Sequence, residues 1–444
     1  MSSYRVVSLF LFLSASISVS ALAQPPAAPP AEQHQHEMAP DPGTSPWTFM
    51  QDGVVFGMFN HQGGPRRGDE FKVPNWWMGM FSRDVGKSKL TFTTMLSLDP
   101  ATVGKRGYRE IFQVGEAFEG RPLADRQHPH DLFMQLAAVW RMPLSDKTGL
   151  TLAGGPAGEP ALGPVAFMHR ASAAENPFAP LGHHTFDSTH IAFGVVTAAV
   201  DHGPWTAEAS IFNGREPDEH RWDFDFGKLD SLSGRIWYKP SPVWEFQVSS
   251  GRLVEPEQLE PGNVIRTTAS ASWMRREAPD VSAVTVAYGV NAAHGTRRLA
   301  LLAEGTRRRG SNTLFGRMEV RQLETGVLLA DTSTGVTLPP VCPSLVHCVD
   351  DAPGRRDLIG AFTAGAVREM LKLKGFEGAL GVAATFYAVP AVLKATHGGH
   401  PVSFEIFFRL RPPAGAMGRM WNMRMSQPMT GHDMSGMAGM SGMR

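Results

Sequence analysis

The stretch VWEFQVSS, residues 243–250, alternates strictly. Trp244, Phe246 and Val248 share one side, while Glu245, Gln247 and Ser249 share the other. Side chains of an extended chain point to opposite faces with a period of two, so such a stretch is a strand with one apolar and one polar face. The pattern recurs. VSFEIFFRL sets Val402, Phe404, Ile406, Phe408 and Leu410 against Ser403, Glu405 and Arg409. LTFTTMLSL sets Leu90, Phe92, Leu96 and Leu98 against Thr91, Thr93 and Ser97. WTAEASIFNG and NTLFGRMEVRQ behave alike, and Arg317, Glu319 and Arg321 of the latter fall on its polar face.

The links between these segments narrow the possibilities further. Tight ones fall near residues 85, 202, 239–242, 278, 309 and 374. Long ones span 61–74, 99–131, 156–188, 215–231, 253–265, 324–356 and 389–401. The two kinds alternate, and only the HGTRR link near 295 is short where a long one is due. The segments number about 16, and LAAVWRM (136–142) reads equally well as helix. An even count of amphipathic strands with alternating short and long links predicts an all-β fold, an antiparallel transmembrane β-barrel. Closure is forced, because backbone N–H and C=O groups in lipid need partners within the protein. Trp140, Trp205, Trp237, Tyr238, Trp244 and Trp273 sit at strand ends beside tight turns, where an interfacial aromatic girdle is expected. A soluble propeller would need a repeat of about 40 residues, and the sequence has none.

The flanks differ from this middle. Residues 1–23 read as a secretory signal: Arg5, an apolar run from Val6 to Val19, then Ala21-Leu22-Ala23 as the cleavage site. Residues 24–46 form a Pro/Ala-rich leader, expected to be disordered. The barrel is expected over 47–411, followed by a disordered Met-rich tail over 412–444. No segment offers the roughly 18 consecutive apolar residues of a membrane helix. With 42 basic and 42 acidic residues there is no electrostatic case for nucleic acid. Cys342 and Cys348, in CPSLVHC, suit a local disulfide outside the cytosol; a metal role would need more ligands than the neighbouring His347.

The tail carries nine methionines from Met417 onward. Thioether sulfur is soft and suits Cu(I) rather than Zn(II), Mg(II) or Ca(II). Met425, Met429, His432, Met434, Met437, Met440 and Met443 are therefore the candidate ligands for Cu(I), with Asp433 beside them; His34, His36 and Met38 make a second, weaker set. No cofactor is required by the sequence. Histidines also gather in the long links. His128, His130, Asp131, His183 and His184 form a possible second metal site of imidazole and carboxylate type, and the alternative is ordinary polar packing of loops in the lumen. The enzymatic motifs G-x-S-x-G, Walker A, H-E-x-x-H and C-x-x-C do not occur. Ser188-Thr189-His190 is a weak hint of a rim hydrolase without a geometric partner.

DRQHPHDLFM (125–134), FMHR (167–170), NPFAPLGHHTFDSTHIAFG (176–194) and FNGREPDE (212–219) resemble an uncharacterised family of Gram-negative outer-membrane β-barrel proteins. The resemblance spans most of 47–411 and implies a location more than an activity. The Met-rich tail resembles that of outer-membrane and periplasmic copper-resistance proteins, where the segment usually precedes the barrel rather than following it. Three functions follow as expectations. The first is copper handling or resistance, with both termini periplasmic and copper-efflux components as partners. The second is a porin-like channel for small solutes with no metal role. The third is a structural or adhesive envelope protein acting through its long loops.

Overall fold

A computed structural model describes residues 45–330, 355–414 and 419–427. The signal and leader sets, the Cys342–Cys348 pair, and Met429, His432, Met434, Met437, Met440 and Met443 lie outside the described residues.

The middle of the chain closes into a single antiparallel barrel of sixteen strands. Thr48–Gln62 opens it and Val402–Arg411 completes it, with pairing from Val55–Leu410 to His61–Phe404 sealing the seam. The second strand comes in two pieces, Gly68–Lys72 and Asn75–Val85, both paired to the first. Pro74 lies in the gap, and its missing N–H cannot join the ladder. Every other strand pairs with its sequence neighbour. Both Thr48 and Arg411 lie at the end that carries the tight turns, because the strand count is even.

LAAVWRM is strand, within Phe133–Pro143, and pairs on both sides. Its turn to Thr148–Gly158 adds one more tight link to those read from the sequence. The short HGTRR link is real, joining Asp280–Ala293 to Thr296–Arg309.

The faces are inverted relative to a soluble protein. In 243–250, Trp244, Phe246 and Val248 are exposed while Glu245, Gln247 and Ser249 are buried. The last strand behaves alike: Val402, Phe404 and Ile406 face out, while Ser403, Glu405 and Arg409 face in. Exposed aromatics collect at the tight-turn end, among them Trp47, Phe49, Phe81, Phe92, Trp140, Trp205 and Trp244. Trp237 corrects the girdle read from the sequence. It is only 2% exposed and points inward, because it shares parity with buried Arg235 rather than with exposed Ile236.

The lumen is filled from both ends. The links 97–132 and 159–191 fold inward; the second is almost wholly buried and the first in part. From the tight-turn end, residues 419–427 enter and pack against the wall. This corrects the expectation of a free tail from residue 412. Arg419 pairs with Asp52 at 3.1 Å and Glu377 at 2.6 Å. Arg424 lies 4.0 Å over the Trp237 ring and 3.3 Å from Glu208. Met425, one of the candidate Cu(I) ligands, is buried in an apolar cluster with Val139, Leu162, Val195 and Leu253.

Candidate functional site

Arginine–carboxylate pairs recur along the lumen wall. Glu304 holds Arg170 at 2.7 Å and Arg317 at 2.9 Å. Arg409 and Arg411 bracket Glu175 and Glu369, with Arg411–Glu369 at 3.0 Å. Glu208 joins Arg235 at 2.6 Å and accepts the indole N–H of Trp237 at 2.8 Å. Arg317, Glu319 and Arg321 are all buried, on the polar face where the alternation placed them. Buried ions tolerate this only when each is matched and hydrogen bonded. The pairs on Glu304, Glu208, Glu175 and Glu369 supply such matches.

A cavity of about 60 Å³ is lined by Asp52, Trp76, His130, His169, Arg419 and Met420 among others. A second, of about 10 Å³, lies between Glu110, Arg317, Glu319 and Glu405. Roughly 10–15 Å³ accommodates one water, so these hold a handful at most.

The histidines meet where the two inserted links cross. Asp187 organises the second link: its carboxylate accepts the Phe167 N–H at 3.0 Å, takes Arg170 at 2.7 Å, and lies 2.8 Å from His183 Nδ1. Burial alone would raise its pKa, but Arg170 and His183 outweigh this and hold it well below the usual carboxylate range. A short helical turn at His183–Phe186 then sets His183 and His184 side by side, rings 5.3 Å apart. His128 arrives from the first link, with its ring 5.8 Å from His183 and 5.5 Å from His184.

The five site residues read from the sequence divide. His128, His183 and His184 come together. His130 turns away, to Asp99 at 2.9 Å and toward the His190 ring at 5.7 Å. Asp131 pairs with Arg221 at 3.1 Å instead of joining the imidazoles. One donor atom each from Glu116, His128 and His184 lie within 4.8 Å of one another, as do those of His184, Glu216 and Glu257. Neither His183 nor His130 joins such a group among the described residues.

Glu116, Glu216, Glu257 and Arg221 were not read as site residues from the sequence. Glu216 lies inside FNGREPDE, so it carried a signal; Glu116 sits in an irregular link with no pattern to mark it. Burial pushes Glu116 well above the ordinary carboxylate range, against the pull of Arg221. Burial, helped by Arg221, pushes His128 well below the ordinary imidazole range. Burial also raises Asp131 to about 6, with Arg221 opposing. Gly115 is required here by contact. A Cβ would stand 2.2 Å from the His184 ring, and the backbone at φ +153 favours glycine.

Ser188 and His190 do not form a nucleophile pair. The Ser188 hydroxyl accepts from Arg266 Nη1 at 2.9 Å, and His190 Nδ1 lies 2.8 Å from the Asp187 carbonyl.

Comparison with protein-family models gives no match, and comparison with curated proteins gives none. Among solved structures the chain is similar to OprB of Pseudomonas putida at 8% identity, over 82% of this chain and 94% of that one, with a TM-score of 0.49. It is also similar to an anion-selective porin from Comamonas acidovorans at 10% identity, over 82% and 100% of the two chains, with a TM-score of 0.47. For Salmonella typhi OmpF the identity is 8%, the coverage 82% and 97%, and the TM-score 0.45.

Proposed function

We propose that the chain is an outer-membrane barrel of the porin type. It would pass small polar solutes along a charge-lined path that its own inserted segments close at rest. One observation carries this reading: the sixteen-strand wall exposes apolar side chains outward and buries arginine–carboxylate pairs inward. Such a wall suits lipid outside and a polar path inside. Tight turns face the periplasm in barrels of this kind, so both termini would be periplasmic here.

Planar-bilayer conductance tests it. The full chain should conduct weakly and intermittently. Arg419→Ala/Arg424→Ala, which frees the 419–427 segment from Asp52, Glu377 and Glu208, should raise the open time severalfold. A heat-modifiable, folded barrel that stays silent in both forms would sink the channel.

A second reading, copper handling, is favoured by the lumenal cluster of Met78, Met80, Met95, Met134, Met420 and Met423. Six buried thioethers meet there, just ahead of the Met-rich run that begins at Met429. Soft sulfur suits Cu(I), and a periplasmic efflux component would be the natural recipient. Cu(I) titration of the full chain against a competing chelator should show weaker binding once Met434, Met437, Met440 and Met443 are changed to Ser. Equal affinities would remove the tail from the account.

A further inference from the structure

We propose that the lumen contains a divalent transition-metal site of the Zn(II) type, formed by His128, His184 and Glu116 with Glu216 and Glu257 beside it. The first argument is placement. Donor atoms of Glu116, His128 and His184 already lie within 4.8 Å of one another, and a second such group shares His184. The His128 and His184 ring centroids are 5.5 Å apart. Two imidazoles bound to one ion at about 2.1 Å bring their rings to roughly 5–6 Å.

The second argument is an unanswered nitrogen. His128 Nδ1 lies 3.1 Å from the Pro129 carbonyl and 3.0 Å from the Glu116 carboxylate. Its Nε2 is buried with no hydrogen-bond partner. A buried polar atom left so costs on the order of 1–3 kcal/mol, and a metal ion would engage it. His184 shows the same outer arrangement, with Nδ1 2.9 Å from Glu216. For His128 the Pro129 carbonyl can keep that outer role on Nδ1, fixing the tautomer and freeing Nε2 as in metal-bound histidines, while Glu116 would leave Nδ1 for the ion.

The third argument is the chemistry of the donors. Imidazole with carboxylate suits Zn(II), Ni(II) or Cu(II) and not Cu(I), so this site is chemically separate from the methionines.

The test uses the full chain in detergent, stripped with chelator and then dialysed against Zn(II) or Co(II). One ion per chain should remain by elemental analysis, and Co(II) should show visible bands of nitrogen and oxygen ligation. His128→Ala and His184→Ala should each weaken retention by about tenfold or more, while His202→Ala, at a strand end beside a tight turn, should not. Heat modifiability on gels reports folding for each variant. If the histidine variants fail to fold, Zn(II) should still shield His128 and His184 of the unaltered chain from diethyl pyrocarbonate, read by mass spectrometry. Equal retention by the folded variants and the unaltered chain, or no shielding, overturns the site. Conductance is a separate readout, so the channel reading stands or falls independently.

Discussion

His169 shows how one side chain ties the inserted segments to pH. Its ring is buried edge-on against Trp76 at 5.1 Å, and its carbonyl accepts the Asn422 N–H at 2.7 Å. Burial lowers its pKa to about 4, with Asp52 pulling weakly the other way. Asp52, His130, Arg411 and Arg419 line the same cavity, so a charged His169 would stand beside two arginines. The folded pKa lies below the unfolded one of about 6.5, so the released state takes the proton first. The contribution of neutral His169 is therefore complete above about 6.5 and is lost as pH falls toward about 4, at up to about 1.4 kcal/mol per unit. Hydrogen exchange of residues 419–427, corrected for intrinsic rates, should accelerate between pH 7 and pH 5. His169→Phe should flatten that dependence. A profile that is already flat, or one that survives the substitution, would show that another group governs docking.

At the scale of elements, the strands were legible in the sequence because a barrel wall with unlike faces obeys a local rule. Each strand is apolar on its outward face and polar on its lumenal one, so the alternation in VSFEIFFRL or VWEFQVSS needs no knowledge of its neighbours. The link lengths followed for the same reason, since chain reversals at one end are tight and at the other long. LAAVWRM was ambiguous because short apolar runs satisfy both periods, and only pairing on both sides decided it. Trp237 was misplaced despite a usable signal: parity with Arg235 and Ser233 marks it as lumenal. The histidine site was half legible. HPHD and GHHTFD stood out as motifs, but their grouping with Glu116 and Glu257 is set by two links crossing inside the barrel. The 419–427 segment was not legible, because its partners Asp52 and Glu208 lie hundreds of residues away and its backbone has no period.

The whole molecule must reconcile a charged interior with an apolar exterior, and the exterior is where the membrane reading can be broken. Val284, Val286 and Tyr288 point outward along Asp280–Ala293, and Val286 is 49% exposed. It is flanked in register by Ala271 and Ala303, so a longer side chain there meets no steric obstacle. In water, exposed valine to arginine is close to neutral. At the midplane of a bilayer the same change costs about 2–4 kcal/mol. Val286→Arg should therefore lower stability in lipid vesicles by that amount, measured by reversible denaturant unfolding, while Val286→Leu should leave it nearly unchanged. The inward neighbour Ala287 is 1% exposed and packs beside Phe186, so Ala287→Arg would fail through overpacking in any solvent. The contrast at Val286 isolates the lipid term. If Val286→Arg proved neutral in vesicles, or raised solubility without detergent, the apolar belt would have to face something other than a membrane.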